Sequence, residues 1–319
     1  MLDSKKISPE LKILNDRYII KEELGNGVTS VVYKVEDMLT KEIKAAKIYG
    51  YGYNYEFERE VKIMKKISEI NSSSNIKYFE SGVGYLRERE KNLQKMFIIL
   101  EYGNKGSLLN ATFKTKDGFS EDVSKFIFSL GLNAVEGMHK NGFCHRDIKP
   151  DNMLFVGDNY DLKLCDFGYS KKFLDKNNQK IALKKKVGTL CYCAPEIIEG
   201  KNYDGEKIDI FSLGTLLFAL MTKKIGFTEA KKNDPLYRYI RIKKYDKYWE
   251  ILEQKHEVKI LPEKFKKLFV KLVAYDPNER PSFDEIRKDE WMQEFFKLNE
   301  EQLNSLRNKM INEIDKRSS

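Results

Sequence analysis

Three short motifs in the middle of the chain bring together residue types that could handle a metal-bound phosphate. Residues His145–Asn152 read HRDIKPDN, Asp166–Gly168 read DFG, and Ala194–Glu196 read APE. Carboxylate and amide oxygens are ligands that Mg²⁺ prefers, and a lysine ammonium is a compact positive charge that binds phosphates. Each motif alone is a weak indication, because acidic residues in loops more often cap turns. Their order along one chain is the informative feature.

In this order the three motifs match the signature set of protein kinases. The chain resembles a eukaryotic protein kinase from about Tyr18 to Trp291, and the Lys149-Pro150 pair resembles the serine/threonine branch. The segment Asp234–Ile240 resembles the calcium/calmodulin-dependent-kinase-like group. The resemblance implies an enzyme that uses Mg²⁺ and transfers the γ-phosphoryl group of ATP to Ser or Thr hydroxyls of protein substrates.

The resemblance also implies a role for each polar residue of the first two motifs. Asp147 is expected to accept or orient the proton of the substrate hydroxyl, and Lys149 to stabilise the transferring phosphoryl group. Asn152 and Asp166 are expected to hold Mg²⁺. Phosphoryl transfer depends mainly on positioning and charge neutralisation, so these four side chains must converge on one phosphate.

A glycine-rich turn and a lysine in the first third of the chain are the predicted phosphate-binding residues. Backbone amides can approach a phosphate only where side chains are absent, and Gly25 and Gly27 meet that need. The third glycine of the kinase pattern is Ser30 here, which could stiffen the turn. Lys47 matches the lysine that pairs with the α- and β-phosphates. The other expected ATP contacts are Leu24, Asn26, Val32, Ala45, Leu100, Glu101, Tyr102 and Leu154.

Several charged residues match structural positions of the family. Glu60 is the expected helix partner of Lys47, because it lies four residues before Met64 on the inward helical face, and Glu56 is the alternative. The resemblance implies that Asp209 holds the backbone of the HRD motif. It also implies a buried ion pair between Glu196 and Arg280.

The segment that follows the DFG motif departs from many kinases. Residues 171–187 contain no Ser, Thr or Tyr, so the phosphate that often pairs with the HRD arginine has no acceptor there. We therefore expect activity that does not depend on phosphorylation in this stretch, with Arg146 contacting Asp175 or no partner. Kinases that prefer basic substrates carry acidic residues at three positions. By this resemblance, two of those positions are Ser107 and Ala219 here, and only the third, Asp151, is acidic. A weak preference for basic peptides follows.

The spacing of apolar residues predicts an α+β, two-lobed fold: a small β-rich N-lobe with one helix and a larger, mainly helical C-lobe. We predict an N-terminal extension (1–17), a kinase domain (18–292, with lobes at 18–102 and 103–292) and a helical tail (293–319). The tail has an apolar stripe, and three interpretations are open: docking on the large lobe, pairing with another chain, or inhibition in cis and calmodulin binding. A regulatory partner of this helix is therefore one possibility.

Composition excludes some function classes and favours others. The net charge of +9 comes from scattered lysines and arginines without a basic stripe, which favours a solvated surface over a nucleic-acid site. The four cysteines lack metal-site spacing, and no apolar signal or membrane-spanning stretch is present, so a cytoplasmic monomer is expected.

The rival interpretation is a catalytically weak pseudokinase that acts as a nucleotide-binding scaffold; it predicts loss of Lys47, Asp147 or Asp166, and all three are present.

Overall fold

The computed structural model describes residues 12–69, 73–89 and 91–315. These residues form two compact units. The N-terminal unit lies within residues 1–71 and 76–104, and the C-terminal unit within residues 72–75 and 105–319. The first is β-rich with one helix and the second is larger and mainly helical, so the predicted fold class is confirmed. Within the described residues, no helix is both long enough and apolar enough to cross a membrane.

The N-terminal unit is a closed antiparallel barrel with the strand order β1-β2-β3-β4-β6-β5. Its interior is filled by apolar side chains that include Val35, Ala46 and Ile99. The two-residue strand β1 closes the barrel by pairing with both β2 and β5. No element was predicted before Tyr18, and the first eleven residues of the predicted extension lie outside the described residues. The strands are β1 (Ile13–Leu14), β2 (Tyr18–Asn26), β3 (Ser30–Asp37), β4 (Ile43–Tyr49), β5 (Tyr78–Glu88) and β6 (Lys91–Glu101).

One helix, α1 (Asn54–Glu69), packs on the outside of this barrel. Its buried face contains Phe57, Ile63, Met64 and Ile67, which recur at the three- and four-residue spacing of a helix. Glu60 lies on the same buried face. The predicted helix is therefore confirmed, and its inward face places one carboxylate against the barrel.

The C-terminal unit is built around α5 (Gly205–Thr222), which is buried along almost its whole length. A helix that is apolar on all sides can be stable only inside a large core. The other helices are α2 (Leu108–Lys114), α3 (Glu121–Lys140), α4 (Pro195–Ile198), α6 (Tyr237–Arg241), α7 (Tyr245–Lys255), α8 (Glu263–Leu272), α9 (Phe283–Lys288) and α10 (Glu300–Asp315). The short strands are β7 (Phe143–Cys144), β8 (Met153–Val156), β9 (Asp161–Leu164) and β10 (Lys171–Lys172), which form the pairs β8-β9 and β7-β10.

The tail helix α10 packs against α2 and α3 of the C-terminal unit. Met310 and Ile314 are buried, and Glu313 accepts hydrogen bonds from the backbone N–H and hydroxyl of Ser120, at 3.0 and 2.5 Å. Ser120 stands at the N-cap position of α3, but its hydroxyl bonds to Glu313 and makes no cap hydrogen bond to that helix. Of the three interpretations of the tail, docking on the C-terminal unit is the one observed.

Candidate active site

Lys47 and Glu60 form a buried ion pair in the N-terminal unit. The Lys47 ammonium lies 2.7 and 2.8 Å from the two carboxylate oxygens of Glu60. Tyr49 donates a further hydrogen bond of 2.6 Å to Glu60 Oε2. The predicted pairing is therefore confirmed for Glu60 and not for the alternative, Glu56. The Tyr49 contact was not predicted, although its position two residues after Lys47 on β4 places both side chains on one face.

Five of the predicted ATP contacts, Gly25, Val32, Ala45, Lys47 and Leu100, share one face of the sheet. The register places Val32 opposite both Gly25 and Lys47, and Ala45 opposite Leu100. Directly paired residues point to the same side of a sheet, and so do residues two apart on one strand. This face is the outer one, because Ala46 and Ile99, which alternate with these residues, fill the barrel core.

The glycine-rich turn leaves room beside its backbone. A β-carbon added at Gly25 would meet no atom within 4 Å, and the neighbouring positions Leu24 and Asn26 are exposed. The turn is closed by a 2.9 Å hydrogen bond from the Gly27 N–H to the carbonyl of Ser30, whose side chain is buried. Open space beside this exposed turn fits the approach of a phosphate chain.

The residues after Leu100 are ordered by contacts with neighbouring segments. The Glu101 N–H donates to the Lys77 carbonyl at 2.9 Å, and the Tyr102 carbonyl accepts from the Asn104 N–H at 2.9 Å. These bonds fix the end of β6, where the adenine ring is expected to bind. In the C-terminal unit, the remaining predicted adenine contact, Leu154, lies half-buried in β8.

Asp147 is the centre of a hydrogen-bond network in the C-terminal unit. Its Oδ1 atom accepts bonds of 2.8 Å from both the backbone N–H and the hydroxyl of Thr189. Its Oδ2 atom lies 3.0 Å from Asn152 Nδ2 and 3.2 Å from the Lys149 ammonium. Lys149 also donates to the Thr189 hydroxyl at 2.8 Å. Three of the four predicted catalytic-loop and metal residues, Asp147, Lys149 and Asn152, therefore meet in one network centred on the buried carboxylate of Asp147.

Lys149 keeps its positive charge in this network. Burial alone would lower the pKa of the Lys149 ammonium, but attraction to the carboxylate of Asp147 and a hydrogen bond to it outweigh burial, so the pKa lies above its ordinary value. A cation that stays protonated at neutral pH can neutralise charge on a transferring phosphoryl group.

Asp209 holds the backbone of the HRD motif, as the resemblance implies. Its carboxylate, fully buried in α5, accepts from the N–H groups of His145 and Arg146 at 2.7 and 2.8 Å. It also lies 2.8 Å from Nε2 of His139. The catalytic loop is therefore fixed to the central helix of the unit by charge-assisted hydrogen bonds.

Arg146 does not contact Asp175, contrary to the expectation from the sequence. Its Nε donates to the Tyr169 carbonyl at 2.7 Å and its Nη1 to the Tyr203 hydroxyl at 3.0 Å. Asp175 instead accepts from two backbone N–H groups of its own turn. The expectation failed because Asp175 belongs to a local turn, whereas Tyr203 is brought to Arg146 by tertiary packing. No sequence motif marked Tyr203.

Asp166 and Asn152 provide oxygen ligands that fit a magnesium ion. Asp166 has a left-handed backbone (φ 59°) before the buried Phe167, whose ring packs edge-on against His145 at 5.4 Å. Asn152 donates through Nδ2 to Asp147, which leaves its amide oxygen for a cation. In the described part of the chain, no three His, Cys, Asp or Glu side chains cluster as a metal site. Mg²⁺ needs only one or two protein ligands when substrate phosphates supply the others.

Comparisons with known proteins agree with this geometry. The family model described as "Protein kinase domain" matches residues 18–292. The chain is 29% identical over 86% of its length to a human SNF-related serine/threonine-protein kinase, of which it covers 33%. It is 30% identical over 88% of its length to CBL-interacting protein kinase 26 of Oryza sativa subsp. japonica, of which it covers 52%. Thus the chain spans a third to about half of these relatives. It belongs to the protein kinase domain family.

Proposed function

We propose that this chain is a serine/threonine protein kinase that transfers the γ-phosphoryl group of ATP to protein hydroxyls. The observation that carries the proposal is the network in which Asp147 meets Lys149, Asn152 and Thr189. A buried carboxylate that faces a fixed lysine and a metal ligand has the geometry to orient a hydroxyl for attack. The name of the human relative, a serine/threonine-protein kinase, supports Ser and Thr as the acceptors.

Each remaining residue has a defined task in this proposal. Lys47, fixed by Glu60, binds the α- and β-phosphates, and the amides of the Gly25–Gly27 turn approach the phosphate chain. Asn152 and Asp166 hold Mg²⁺, which when bound supplies neutralisation of phosphate charge. Asp147 takes up or directs the hydroxyl proton, and Lys149 stabilises the charge that develops on the transferred group.

The direct test is phosphate transfer by the purified chain. With Mg²⁺, ATP and a generic protein substrate, we expect phosphoserine or phosphothreonine by mass spectrometry, and we expect EDTA to abolish its formation. Nucleotide binding without any transfer, with or without Mg²⁺, would instead support the scaffold interpretation.

We further propose that activity does not require phosphorylation of the segment after the DFG motif. This segment is tied down by its own contacts: β10 pairs with β7, Leu183 pairs with Tyr203, and Thr189 bonds to Asp147. Tyr203 accepts from Arg146 and donates to the Lys185 carbonyl at 2.7 Å. Burial raises the pKa of the Tyr203 hydroxyl, so it stays a donor at neutral pH. The Tyr203 hydroxyl thus binds Arg146, the arginine to which a phosphate would otherwise bind.

Replacing Tyr203 by Phe tests this role. The variant keeps the buried ring but leaves an arginine N–H and the Lys185 carbonyl without their partner, so we expect kcat/KM to fall about tenfold. Tyr275→Phe, which removes a hydroxyl that contacts Glu199 at the surface, is the matched control and should keep wild-type kinetics. Phosphatase-treated wild type should also keep its rate. An active Tyr203→Phe variant, or a wild type that needs phosphate on Ser170 or Thr189, would contradict the proposal.

The expected partners of the chain are protein substrates with Ser or Thr acceptors, and we place the protein in the cytoplasm as a monomer without nucleic-acid or membrane binding. The four cysteines are free thiols, which suits a reducing compartment. Because α10 uses its apolar face on the C-terminal unit, a regulatory partner of this helix would bind its exposed face or displace it.

A further inference from the structure

The segment after the DFG motif carries a strong positive charge that the kinase chemistry does not use. Between Gly168 and Gly188 it contains seven lysines and one acidic residue, Asp175. Three of the lysines, Lys184, Lys185 and Lys186, are consecutive and exposed. We refer to these three residues as the lysine triad. Like charges in sequence repel each other, so the triad is stabilised by any anion that binds it.

The carboxylates close to the triad in the sequence already have other partners: Asp175 accepts from two backbone N–H groups of its own turn, and four others pair with cations outside the triad. Glu196 pairs with Arg280, Glu199 with Lys201, and both Asp204 and Glu206 with Lys180. Within the described residues, no triad ammonium forms an ion pair, and that of Lys186 lies 3.5 Å from the Ile198 carbonyl. Among the residues that the structure describes, the triad therefore has no carboxylate as an ion-pair partner.

The triad is held at a defined place beside the catalytic residues. Tyr203 fixes the Lys185 carbonyl, and Leu183 pairs with the backbone of Tyr203. On the other side, Val187 is buried, and Thr189 bonds directly to Asp147. Three residues span at most about 11 Å, so Lys186 lies within about that distance of Thr189. An extended peptide rises about 3.3 Å per residue, so about four of its residues cover this span.

We propose that the lysine triad selects protein substrates with an acidic group within about four residues of the acceptor hydroxyl. The group is a carboxylate or a phosphate, and both are anions that lysines bind through charge-assisted hydrogen bonds. The inference rests on the proposed kinase function and adds its substrate class. It agrees with the weak preference for basic peptides expected from the sequence, because Ser107 and Ala219 stand at two positions where the resemblance implies acidic residues.

A peptide series measures this selectivity. Serine peptides are compared in which one residue, at each position from four before to four after the acceptor, is alanine, glutamate or phosphoserine. We expect the best acidic peptide to exceed its alanine counterpart about tenfold in kcat/KM. The glutamate and phosphoserine arms tell whether a carboxylate suffices or a phosphate is required. In the triple variant Lys184→Ala/Lys185→Ala/Lys186→Ala, the ratio of acidic to neutral peptide should fall close to one.

The matched control removes three exposed lysines elsewhere, as Lys259→Ala/Lys264→Ala/Lys267→Ala, and should keep the wild-type ratio. A wild-type ratio near one, or an equal loss in both triple variants, would overturn the inference. Peptide affinity, measured by fluorescence anisotropy on the Asp147→Asn background, provides a readout that needs no turnover. Absence of phosphate transfer together with a triad-dependent affinity for acidic peptides would reject the kinase proposal while retaining the acidic binding surface.

Discussion

Replacing Asp147 by Asn is expected to lower kcat about 10³-fold while the protein stays folded. The asparagine side chain has nearly the same shape, so it can still accept from the Thr189 N–H. It has no negative charge, however, and cannot take up or direct the proton of the substrate hydroxyl. Lys149 also loses the carboxylate that raises its pKa. Steady-state kinetics with saturating Mg²⁺-ATP and a protein substrate measure the loss.

The control for this substitution is Asp158→Asn. It makes the same chemical change at a carboxylate that is 99% exposed and that, within the described residues, forms one ion pair, with Lys105 at 3.3 Å. We expect wild-type kcat for this variant, because exposed ion pairs contribute little. Both variants should bind ATP with wild-type affinity in thermal-shift titrations. If Asp147→Asn kept more than about a tenth of the wild-type kcat, Asp147 would not be the catalytic carboxylate.

The sequence could predict which side chains meet at Asp147 because these residues lie in short, ordered motifs. The loop from His145 to Asn152 needs few residues to bring a carboxylate, a lysine and an amide together, and the structure does so around Asp147. Helical spacing likewise predicted α1 and its inward Glu60, because one face of an amphipathic helix must be buried. Contacts between residues that lie close together in the sequence can therefore be predicted from the local pattern of residues.

Other features could not be predicted because they depend on tertiary packing. Strand β1 has two residues, which is too short for any periodicity, yet its pairing with β2 and β5 closes the barrel. Most residues of the β5-β6 hairpin are exposed or half-buried, and only Phe97, Ile98 and Ile99 near the end of β6 form a buried apolar run. Tyr203 contacts Arg146 although the two residues are 57 positions apart in the sequence, so this contact exists only once the C-terminal unit has folded.

Arg280→Ala is expected to destabilise the C-terminal unit by about 3–5 kcal/mol. Arg280 is fully buried and forms two parallel bonds, 2.7 and 2.8 Å long, with Glu196. Truncation leaves the Glu196 carboxylate buried without its cation, and it also removes the donors that Ala274 and Lys207 carbonyls accept from. Both tryptophans, Trp249 and Trp291, lie in this unit, so urea unfolding followed by tryptophan fluorescence reports its stability selectively.

An exposed ion pair serves as the control for the buried Arg280–Glu196 pair. It shows whether the loss of stability comes from burial of the charges or only from the presence of opposite charges. Lys243→Ala breaks the ion pair of Lys243 with Glu279 at the surface and should leave the free energy of unfolding nearly unchanged. A loss of similar size in Arg280→Ala would contradict the buried-charge explanation.

The double variant Glu196→Leu/Arg280→Met shows which part of the loss comes from the stranded charge. Replacing both ions by apolar residues of similar size removes the uncompensated carboxylate, so this variant should be more stable than Arg280→Ala. Recovery should nevertheless be incomplete, because the carbonyls of Ala274 and Lys207 still lack the arginine donors, and each unsatisfied group costs about 1–3 kcal/mol. Full recovery would mean that the carbonyl bonds contribute nothing. No recovery would mean that Arg280 acts through these carbonyls and its packing on Phe211, and not through its charge pair with Glu196.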